Sequence, residues 1–369
     1  MKKLLLATIA FALMAPVAHA EITLDLGGYF KGYAGYADQD TPNTRSVDFK
    51  RKSQIFFLGE TTLDNGLTVG YNGQLMQDSS VDPGSEDEAK VEQSYLYFSG
   101  NWGRMNLGRE NGAAYLLQVS APGADANLDG QDIAFSFFNQ GTANIRQDYG
   151  HMGAATVAGI RGEDFQYAEK ITYITPKIVG FQAGLSYTPE ARAKGANDFF
   201  GMSANNDAGG YENLIEAGVR YDGEFSGIGL HAGGGYTTAN LEAPLLGIGE
   251  DLKEFNLGAK VTYEGFGFGG AYNNRDGGIN VSGLGDVDTW TIGADYTYGS
   301  YNFGASYLKS TGDVVGGEDE YDRFSVGAGY TYGPGMKFNG SLGLHDLSSA
   351  TAANENKATV IAIGTDVQF

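Results

Sequence analysis

Alternation of apolar and polar residues with a period of two is the sequence feature that most restricts the fold of this chain. In the run that begins at Leu67, Val69 and Leu75 share one parity, and Thr68 and Gln74 share the other. The same division recurs along the chain, and its apolar members include Leu24, Leu26, Phe30, Phe181, Leu185, Ile215, Val219, Phe255, Leu257, Ile292, Phe324 and Val326. Side chains of a β-strand point alternately to opposite faces, so the pattern predicts strands with one apolar and one polar face.

The composition shows what kind of protein these strands can build. The chain of 369 residues contains 57 glycines, 23 tyrosines and 21 phenylalanines, and its mean hydropathy is −0.26. After residue 20 no apolar run has the ~20 residues that a transmembrane helix needs. A transmembrane β-barrel needs only segments of ~10 residues in which every second residue is apolar. The composition therefore argues against a helical membrane protein and favours a membrane barrel over a soluble sandwich.

The first twenty residues predict export. Lys2 and Lys3 precede an apolar stretch from Leu4 to Met14, and Ala18-His19-Ala20 ends the segment. This is the layout of a signal peptide at residues 1–20, cleaved after Ala20. The alternative, an N-terminal membrane helix, needs a longer apolar run. We expect residues 21–369 to form a single barrel domain, because no Pro- or Ser-rich linker divides them.

Charge and cysteine content exclude further classes. Loss of Lys2 and Lys3 from the 24 basic residues leaves 22 against 45 acidic residues, a net charge of −23. Such a balance argues against nucleic acid as a partner. The sequence has no cysteine, so disulfides, thiol nucleophiles and thiolate metal sites are excluded.

The connections between the runs alternate in length. Short turns are predicted at 64–66, 100–103, 176–180, 222–227, 264–265, 299–300 and 333–335, and long polar connections at 78–90, 189–210, 238–251, 273–286, 310–320 and 346–357. Short turns at one end and long loops at the other are typical of outer-membrane barrels. Sixteen runs fit between these connections, the first at 22–36 and the last at 357–369. We therefore expect an all-β, 16-stranded antiparallel transmembrane barrel.

Two of the sixteen runs have weaker patterns. The second, at 50–63, places Phe56 and Leu58 opposite Ile55 and Phe57, so both of its faces are partly apolar. The sixth, at 167–175, is included mainly because an even number of strands closes a barrel. Fourteen or eighteen strands are the alternatives.

Tyrosines cluster at strand ends beside the short turns. They are Tyr221, Tyr263, Tyr296, Tyr298, Tyr301, Tyr330 and Tyr332. This is where an interfacial girdle of a membrane barrel lies. A general preference of tyrosine for strands explains their number but not their placement.

Residues 111–164 form the one long stretch without sustained alternation. A connection of this length inside a compact domain is normally functional or is evidence against the assignment. We interpret it as a loop that folds into the lumen of the barrel and narrows an aqueous pore.

The closing run Ala358–Phe369, which ends on phenylalanine, resembles the closing strand of outer-membrane barrels. Three internal stretches resemble the general bacterial (Gram-negative) outer-membrane diffusion porins: Leu63–Tyr71, Ser99–Arg109 and Tyr173–Tyr187. The resemblance implies a homotrimer of 16-stranded barrels that passes small hydrophilic solutes, with the third external loop, about residues 110–166 here, forming the constriction. The insertion is longer than in the family pattern, so Arg146, Arg161 and Glu163 are expected outside the constriction.

Selectivity in such a channel depends on charged side chains at the narrowest point. The inserted stretch offers Asp125, Asp129 and Asp132, and by parity the facing walls offer Lys31, Lys52, Arg104, Arg220 and Lys260. Strict alternation turns Arg109 towards lipid, whereas the family motif turns it into the pore; we favour the pore, because Gly108 can bend the strand and a charge in lipid costs up to ~2–4 kcal/mol. The alternative is that these charges lie on solvated loop surfaces. We expect a modest cation preference.

Asp125-Ala-Asn127-Leu-Asp129-Gly130 matches the opening of a calcium loop, in which Asp125, Asn127 and Asp129 would supply oxygen ligands. Position twelve of the loop is Ser136 rather than glutamate, so an acidic Asx-turn is the alternative. No cofactor is required. The histidines His151, His231 and His345 show no metal-like spacing, and Gly265–Gly270 is not followed by a helix, so an enzyme is not expected.

The sequence thus predicts a porin for ion transport and passive diffusion across the outer membrane. A substrate-specific channel for saccharides or anions and a plugged adhesion or binding barrel remain as alternatives.

Overall fold

The computed structural model describes residues 22–79, 90–130, 135–149, 167–191, 209–244, 249–277 and 286–369. Within these residues sixteen antiparallel strands form one closed sheet. They are β1 (Thr23–Gln39), β2 (Val47–Thr62), β3 (Thr68–Ser79), β4 (Lys90–Gly100), β5 (Gly103–Arg109), β6 (Glu169–Ile174), β7 (Phe181–Glu190), β8 (Tyr211–Phe225), β9 (Ile228–Leu241), β10 (Leu252–Tyr263), β11 (Phe266–Asp276), β12 (Val287–Tyr298), β13 (Tyr301–Val314), β14 (Gly317–Gly333), β15 (Met336–Ser348) and β16 (Asn356–Gln368).

Each strand pairs with its neighbours in the chain, and β1 pairs with β16 to close the barrel. The closure continues to Phe369, whose backbone N–H donates to the Gly28 carbonyl at 3.0 Å and whose carbonyl accepts from the Gly28 N–H at 2.8 Å. The prediction of sixteen strands is confirmed, including the sixth strand that rested on the even-number argument. Fourteen and eighteen strands are excluded.

The two faces of the sheet carry the predicted division of side chains. Leu107, Leu257 and Ile363 lie on the apolar face and are 55, 60 and 63% exposed. On the other face, here called the polar face, Thr172, Ser186 and Thr289 are almost completely buried, as are many other short polar side chains. Burial on the polar face means that something other than solvent covers much of it.

One predicted connection is wrong. We expected a long loop at 310–320, but β13 extends to Val314 and β14 begins at Gly317, so only two residues separate the strands. The antiparallel ladder continues through the pair Asp313 and Glu318. Polar composition alone does not distinguish a loop from a polar strand that stays hydrogen-bonded to its neighbour.

The long connection between β5 and β6 is here called the inserted segment, residues 110–166. Its described parts contain one short helix, α1 (Ala113–Leu116), and a 3-10 turn occurs far from it at Ala352–Asn354. The segment shares the largest apolar cluster with β1 and β13 to β16; its members are Tyr33, Ala37, Phe135, Phe137, Phe138, Ala143, Ile145, Leu308, Tyr321, Leu347, Ala358, Val360 and Ala362. The described parts of the segment are therefore packed against the sheet.

In the part of the chain that the structure describes, no helix combines the length and apolar character needed to cross a membrane. Residues 1–21 lie outside the described residues, so the signal peptide and its cleavage after Ala20 stay predictions.

Candidate functional site

The inserted segment begins on the polar face, where β5 ends. Glu110 is buried, and its carboxylate accepts a hydrogen bond from the Asn106 amide at 2.7 Å. Lys170 of β6 donates to the carbonyl of Glu110, and the backbone N–H of Ala113 donates to Ser186 Oγ at 2.8 Å. Burial raises the pKa of the Glu110 carboxyl to about 7, against the opposing effect of the Asn106 hydrogen bond. These contacts fix the entry of the segment.

Glycines of the polar face then lie directly under the backbone of the segment. A Cβ atom placed on any of six glycines would lie less than 3.0 Å from a backbone atom of residues 113–124, closer than real Cβ contacts. These contact glycines are Gly218 of β8, Gly233 and Gly235 of β9, Gly258 of β10, Gly293 of β12 and Gly304 of β13. Because glycine lacks a Cβ, the sheet lets the segment approach its backbone here.

The register shows that these glycines belong to a continuous zone of small residues. Gly184, Gly218 and Gly235 are partners across β7 to β9, and Gly269 pairs with Gly293 across β11 and β12. Further along, the partners are Gly304, Gly327, Ser341, Ala362 and Gly35 from β13 round to β1. The polar face therefore carries a path of small residues along which the segment lies.

Residues 125–127 of the segment contact β1 and β16. Asp125 Oδ1 accepts hydrogen bonds from the Tyr33 hydroxyl at 3.3 Å and from the Asn127 backbone N–H at 3.0 Å. The Asn127 amide donates to Tyr33 Oη at 2.7 Å and to Asp366 at 3.3 Å. Tyr33 thus joins the predicted acidic motif to the sheet.

Asp129 lies over β13 and close to β14. Its Oδ2 accepts a hydrogen bond from Ser306 Oγ at 2.7 Å. The Arg323 guanidinium donates to the carbonyls of Leu128 at 2.6 Å and Gln147 at 2.8 Å. Arg323 is 3% exposed, so it connects two parts of the segment to the sheet.

The predicted pore acids Asp125 and Asp129 are buried, with 2 and 7% of their surface exposed. Burial raises the pKa of the Asp125 carboxyl from 3.8 to about 6 and also raises the pKa of Asp129. Both carboxylates are held at the contact between segment and sheet. Asp132 lies outside the described residues, and the role of all three at a constriction stays a prediction.

Two of the predicted wall bases, Lys31 and Lys52, lie beside the acidic motif of residues 125–129. The Lys31 ammonium donates to Asn127 Oδ1 at 2.8 Å and lies 5.2 Å from the centroid of the Tyr29 ring. Lys52 is the register partner of Lys31 on β2. The structure therefore brings Lys31 together with the acidic motif and puts Lys52 next to it on the sheet.

Arg104, Arg220 and Lys260 occupy separate positions on the polar face. The Arg104 guanidinium carbon lies 3.8 Å from the centroid of the Tyr97 ring. Arg220 pairs with Asp222 at 2.9 Å and donates to the carbonyl of Gln118 in the segment at 3.2 Å. Lys260 lies 3.4 Å from Asp295. Of these three bases, Arg220 is the one with a described hydrogen bond to the segment.

Arg109 is placed differently from our expectation. Its register partners are Ser94 and Glu169, and it shares the parity of the exposed Leu107 rather than that of Arg104. Gly108 does adopt a positive φ of 131°, as a bend requires, and Arg109 Nε donates to the Tyr167 carbonyl at 2.7 Å. The pairing therefore does not support turning Arg109 into a pore.

Calcium binding at Asp125, Asn127 and Asp129 stays a prediction. Asp125 Oδ2 and Asp129 Oδ1 are buried without a hydrogen-bond partner, which suits a cation, but Asn127 Oδ1 faces the Lys31 ammonium, which does not. The Asx-turn geometry of the alternative is present, because Asn127 N–H bonds to Asp125 Oδ1. Among the described residues, no group of three or more His, Asp or Glu side chains is arranged to hold a metal.

Arg146 anchors the returning part of the segment. Its guanidinium donates to Glu254 at 3.0 Å and to Asn273 at 2.8 Å, and its backbone N–H donates to Ser310 Oγ at 2.9 Å. Breaking a buried pair of this kind typically costs ~3–5 kcal/mol, because the remaining charge stays buried. Arg161 and Glu163, with which Arg146 was grouped, lie outside the described residues.

The sequence reasoning missed several contact residues. It did not identify Tyr33, Ser306 or Arg323 as partners of the segment, and it did not use glycine parity. The signal was present, since Gly218, Gly258 and Gly293 all share the polar parity of their strands. A glycine on the polar face of a strand marks a position where another backbone approaches.

Comparison with known proteins identifies the family. A sequence model of the family described as Gram-negative porin matches residues 7–350. The chain belongs to this family. The porin is a transmembrane β-barrel channel of the outer membrane, as the sequence predicted, and family and fold point to a channel rather than an enzyme.

Proteins that match this porin in sequence have low identity to it. An uncharacterized protein of Rickettsia typhi is 23% identical over 345 residues, in a match that covers 74% of this porin and 77% of that protein. An uncharacterized protein of Rickettsia felis is 23% identical over 199 residues and 49% of this porin, which spans only 44% of that protein's length.

Solved structures share the fold. An anion-selective porin from Comamonas acidovorans is similar with a TM-score of 0.67 and 18% identity, covering 95% of this porin and 100% of that chain. The trimer form of OmpT, an outer membrane protein of Vibrio cholerae, is similar with a TM-score of 0.60 and 15% identity, covering 94 and 99% of the two chains. At these identities the likeness concerns the fold alone.

Proposed function

We propose that the porin forms a water-filled channel for passive diffusion of ions and small hydrophilic solutes, narrowed by the inserted segment folded into its lumen. Barrels of 16 strands are wide enough for an aqueous channel. In a membrane barrel the apolar face meets lipid and the polar face encloses the lumen. A segment that lies against the polar face therefore occupies the lumen.

The contact glycines carry this proposal. They admit the backbone of residues 113–124 to the polar face of β8 to β13, where any larger side chain would keep it away. A loop on the outside of the barrel would not contact this face, so it would not require small residues here.

The described contacts also indicate where solutes pass. The described parts of the segment contact strands from β6 through β16 to β1. For the described residues 113–149, the contact with β2 to β5 is that of the Phe137 ring with the Lys50 ammonium, 5.3 Å from its centroid. We infer that the polar face of β2 to β5 is the open side of the constriction. Lys52 and Arg104 lie on this side, and Asp125 lies against Tyr33 of the adjacent strand β1.

We further propose that the ion preference is modestly cationic. The formal net charge of −21 supports an excess of cations near the channel. The wall bases Lys31, Lys52 and Arg104 oppose it locally, so the preference is small and declines as salt screens the charges.

The assembly is proposed to be a homotrimer in outer-membrane lipid. A trimer form of a similar structure supports this stoichiometry. Calcium is not needed for the channel, and binding at Asp125 and Asp129 stays a prediction.

Shortening the inserted segment tests the proposal. Removal of residues 113–124, with the cut joined by a short glycine linker, should raise single-channel conductance in a planar bilayer, because strands keep their hydrogen bonds without it. A matched control shortens the connection between β11 and β12, at 278–285, and should leave conductance unchanged. Equal conductance of both variants and the parent would place the segment outside the conducting path.

A further inference from the structure

The pairing of β1 with β16, here called the seam, differs from the other strand pairs of the barrel. Every other pair joins strands that follow one another in the chain, whereas β1 and β16 lie at opposite ends of the sequence. The register of the seam runs from Tyr29 with Gln368 to Gln39 with Ala358. The entropy cost of bringing two strands together grows with the length of chain between them. The seam is therefore the pair that gains most from additional contacts.

One end of the seam is bridged by Asn127 of the inserted segment. Its side-chain amide donates hydrogen bonds to Tyr33 Oη of β1 at 2.7 Å and to Asp366 of β16 at 3.3 Å. Its side-chain oxygen accepts a hydrogen bond from the Lys31 ammonium at 2.8 Å, and Lys31 is the register partner of Asp366 across the seam. One buried side chain of the segment thus contacts both strands.

The other end of the seam is bridged by the backbone of Asn139. Its N–H donates to Gln39 Oε1 at 3.1 Å, and its carbonyl accepts a hydrogen bond from Asn356 Nδ2 at 2.8 Å. Gln39 is the last residue of β1, and Asn356 is the first residue of β16. The segment is thus hydrogen-bonded to both strands at each end of the seam.

Aromatic side chains of the segment cover the seam between these two bridges. A Cβ atom at Gly35 of β1 would overlap the Phe137 ring, so the ring lies directly on this glycine. Gly35 is the register partner of Ala362 of β16, which is completely buried. The Phe135 ring lies 5.1 Å from the Tyr33 ring, and both phenylalanines belong to the apolar cluster that includes residues of β1 and β16. Burial of apolar surface across the seam stabilises its closed form.

We propose that the inserted segment has a second function, in which residues 125–130 and 135–139, here called the clasp, hold the first and last strands of the barrel together from the polar face of the sheet. Separation of β1 from β16 breaks the hydrogen bonds of their ladder and also the contacts of the clasp with one of the two strands. The clasp therefore stabilises the seam and not distant strand pairs such as β10 and β11.

The clasp also links the position of the segment to closure of the barrel. Its docking surface consists of side chains from both strands, so Asn127 meets Lys31, Tyr33 and Asp366 together only after the seam has formed. The segment therefore takes its final position only in a closed barrel. This function is separate from the proposed channel, because it concerns the stability of the seam whether or not solutes pass.

Amide hydrogen exchange followed by mass spectrometry tests the clasp, because local opening of a strand pair exposes its amides to exchange. Asn127→Ala removes one bridge but leaves the sequences of β1 and β16 unchanged. Amides of residues 29–39 and 358–368 should exchange about tenfold faster than in the parent, since the hydrogen bonds of Asn127 are lost. Amides of β10 and β11 should exchange at the parent rate.

Asn256→Ala is the matched control. Asn256 of β10 is also buried, and its amide donates to Gln118 Oε1 of the segment at 3.3 Å, but this contact lies away from the seam. The control should leave exchange of the seam amides at the parent rate.

Phe137→Leu is a second variant of the clasp. It removes the ring over Gly35 but keeps an apolar side chain, so it should also accelerate exchange at the seam. A change of gel mobility on heating shows that each variant has formed a barrel before exchange is measured.

Two results would overturn the proposal. In either clasp variant, exchange of the seam amides at the parent rate would do so. An acceleration that is equal in all strands would also do so, because it indicates a general loss of stability. Since the readout is exchange and not conductance, failure of the clasp is distinguished from failure of the proposed channel.

Discussion

Substitution of one contact glycine by alanine tests how closely the segment fits the sheet. At Gly258 a methyl group would meet the Val119 carbonyl oxygen at well under 3.0 Å, and this carbonyl is backbone, which cannot rotate away as a side chain can. Gly258→Ala therefore forces the segment off β10. Overpacking of this kind typically costs ~1–3 kcal/mol.

Gly59→Ala is the matched control. Gly59 lies within β2 on the apolar face, and a methyl group there meets no atom within 4 Å. Since glycine inside a strand is less favourable than alanine by ~0.5–1 kcal/mol, this variant should be unchanged or slightly more stable. The two substitutions thus make the same chemical change with opposite expected effects.

The assay combines stability and conductance. Urea-induced unfolding in lipid vesicles, followed by the fluorescence of Trp102 and Trp290, should show a lower midpoint for Gly258→Ala only. Single-channel conductance should fall in the same variant, because the displaced segment moves towards the open side of the lumen. If Gly258→Ala and Gly59→Ala matched in both measurements, the close approach of segment and sheet would be refuted.

Three further predictions concern charge, pH and closure. Asp125→Asn combined with Asp129→Asn removes charge but keeps size, so the reversal potential in a salt gradient should shift towards anions while conductance changes little. Burial raises the pKa of the Asp125 carboxyl from 3.8 to about 6, so the folded chain favours the protonated carboxyl. This preference stabilises the folded chain fully below pH 3.8, and the stabilisation is lost as the pH rises through about 6. Cation preference should accordingly fall between about pH 7 and about pH 5 in the parent, and fall less in Asp125→Asn; equal pH profiles would contradict this. Deletion of Phe369 removes two backbone hydrogen bonds to Gly28 and should lower the yield of heat-resistant oligomer on gels, whereas normal yield would show that these bonds are dispensable.

The barrel could be predicted from the sequence because its signal is local. Parity along each strand depends on neighbouring residues, so Leu257 and Lys260 are assigned to opposite faces without knowledge of the rest of the chain. The sixth strand, Glu169–Ile174, followed from closure rather than from its own pattern.

The placement of Asp125 and Asp129 could not be predicted in the same way. The inserted segment has no periodicity, and its acids resembled free pore charges. Tyr33 and Ser306 hold them against the sheet, and these partners are more than 90 residues away in the chain. Long-range contacts of a loop have no local signature apart from the glycines on the opposing strands.

Arg109 and the turn between β13 and β14 show two other limits. The prediction for Arg109 considered only the free-energy cost of placing its charge on the apolar face. It did not consider Glu169, which is the register partner of Arg109 on that face. The turn at 315–316 was missed because residues 310–320 are polar although they are paired, with Lys309 and Glu320 2.5 Å apart.

The measurement that tests the account most directly is the accessibility of introduced cysteines, since the chain has none of its own. Gln74→Cys lies on the proposed open side, on β3 opposite Phe56, and Ser306→Cys lies under Asp129, where the serine is 3% exposed. A charged methanethiosulfonate reagent, added during single-channel recording, should change the current of Gln74→Cys in a step and leave Ser306→Cys unmodified. Rapid modification of Ser306→Cys, with Gln74→Cys unreactive, would contradict a segment that covers β6 to β1 and leaves β2 to β5 open.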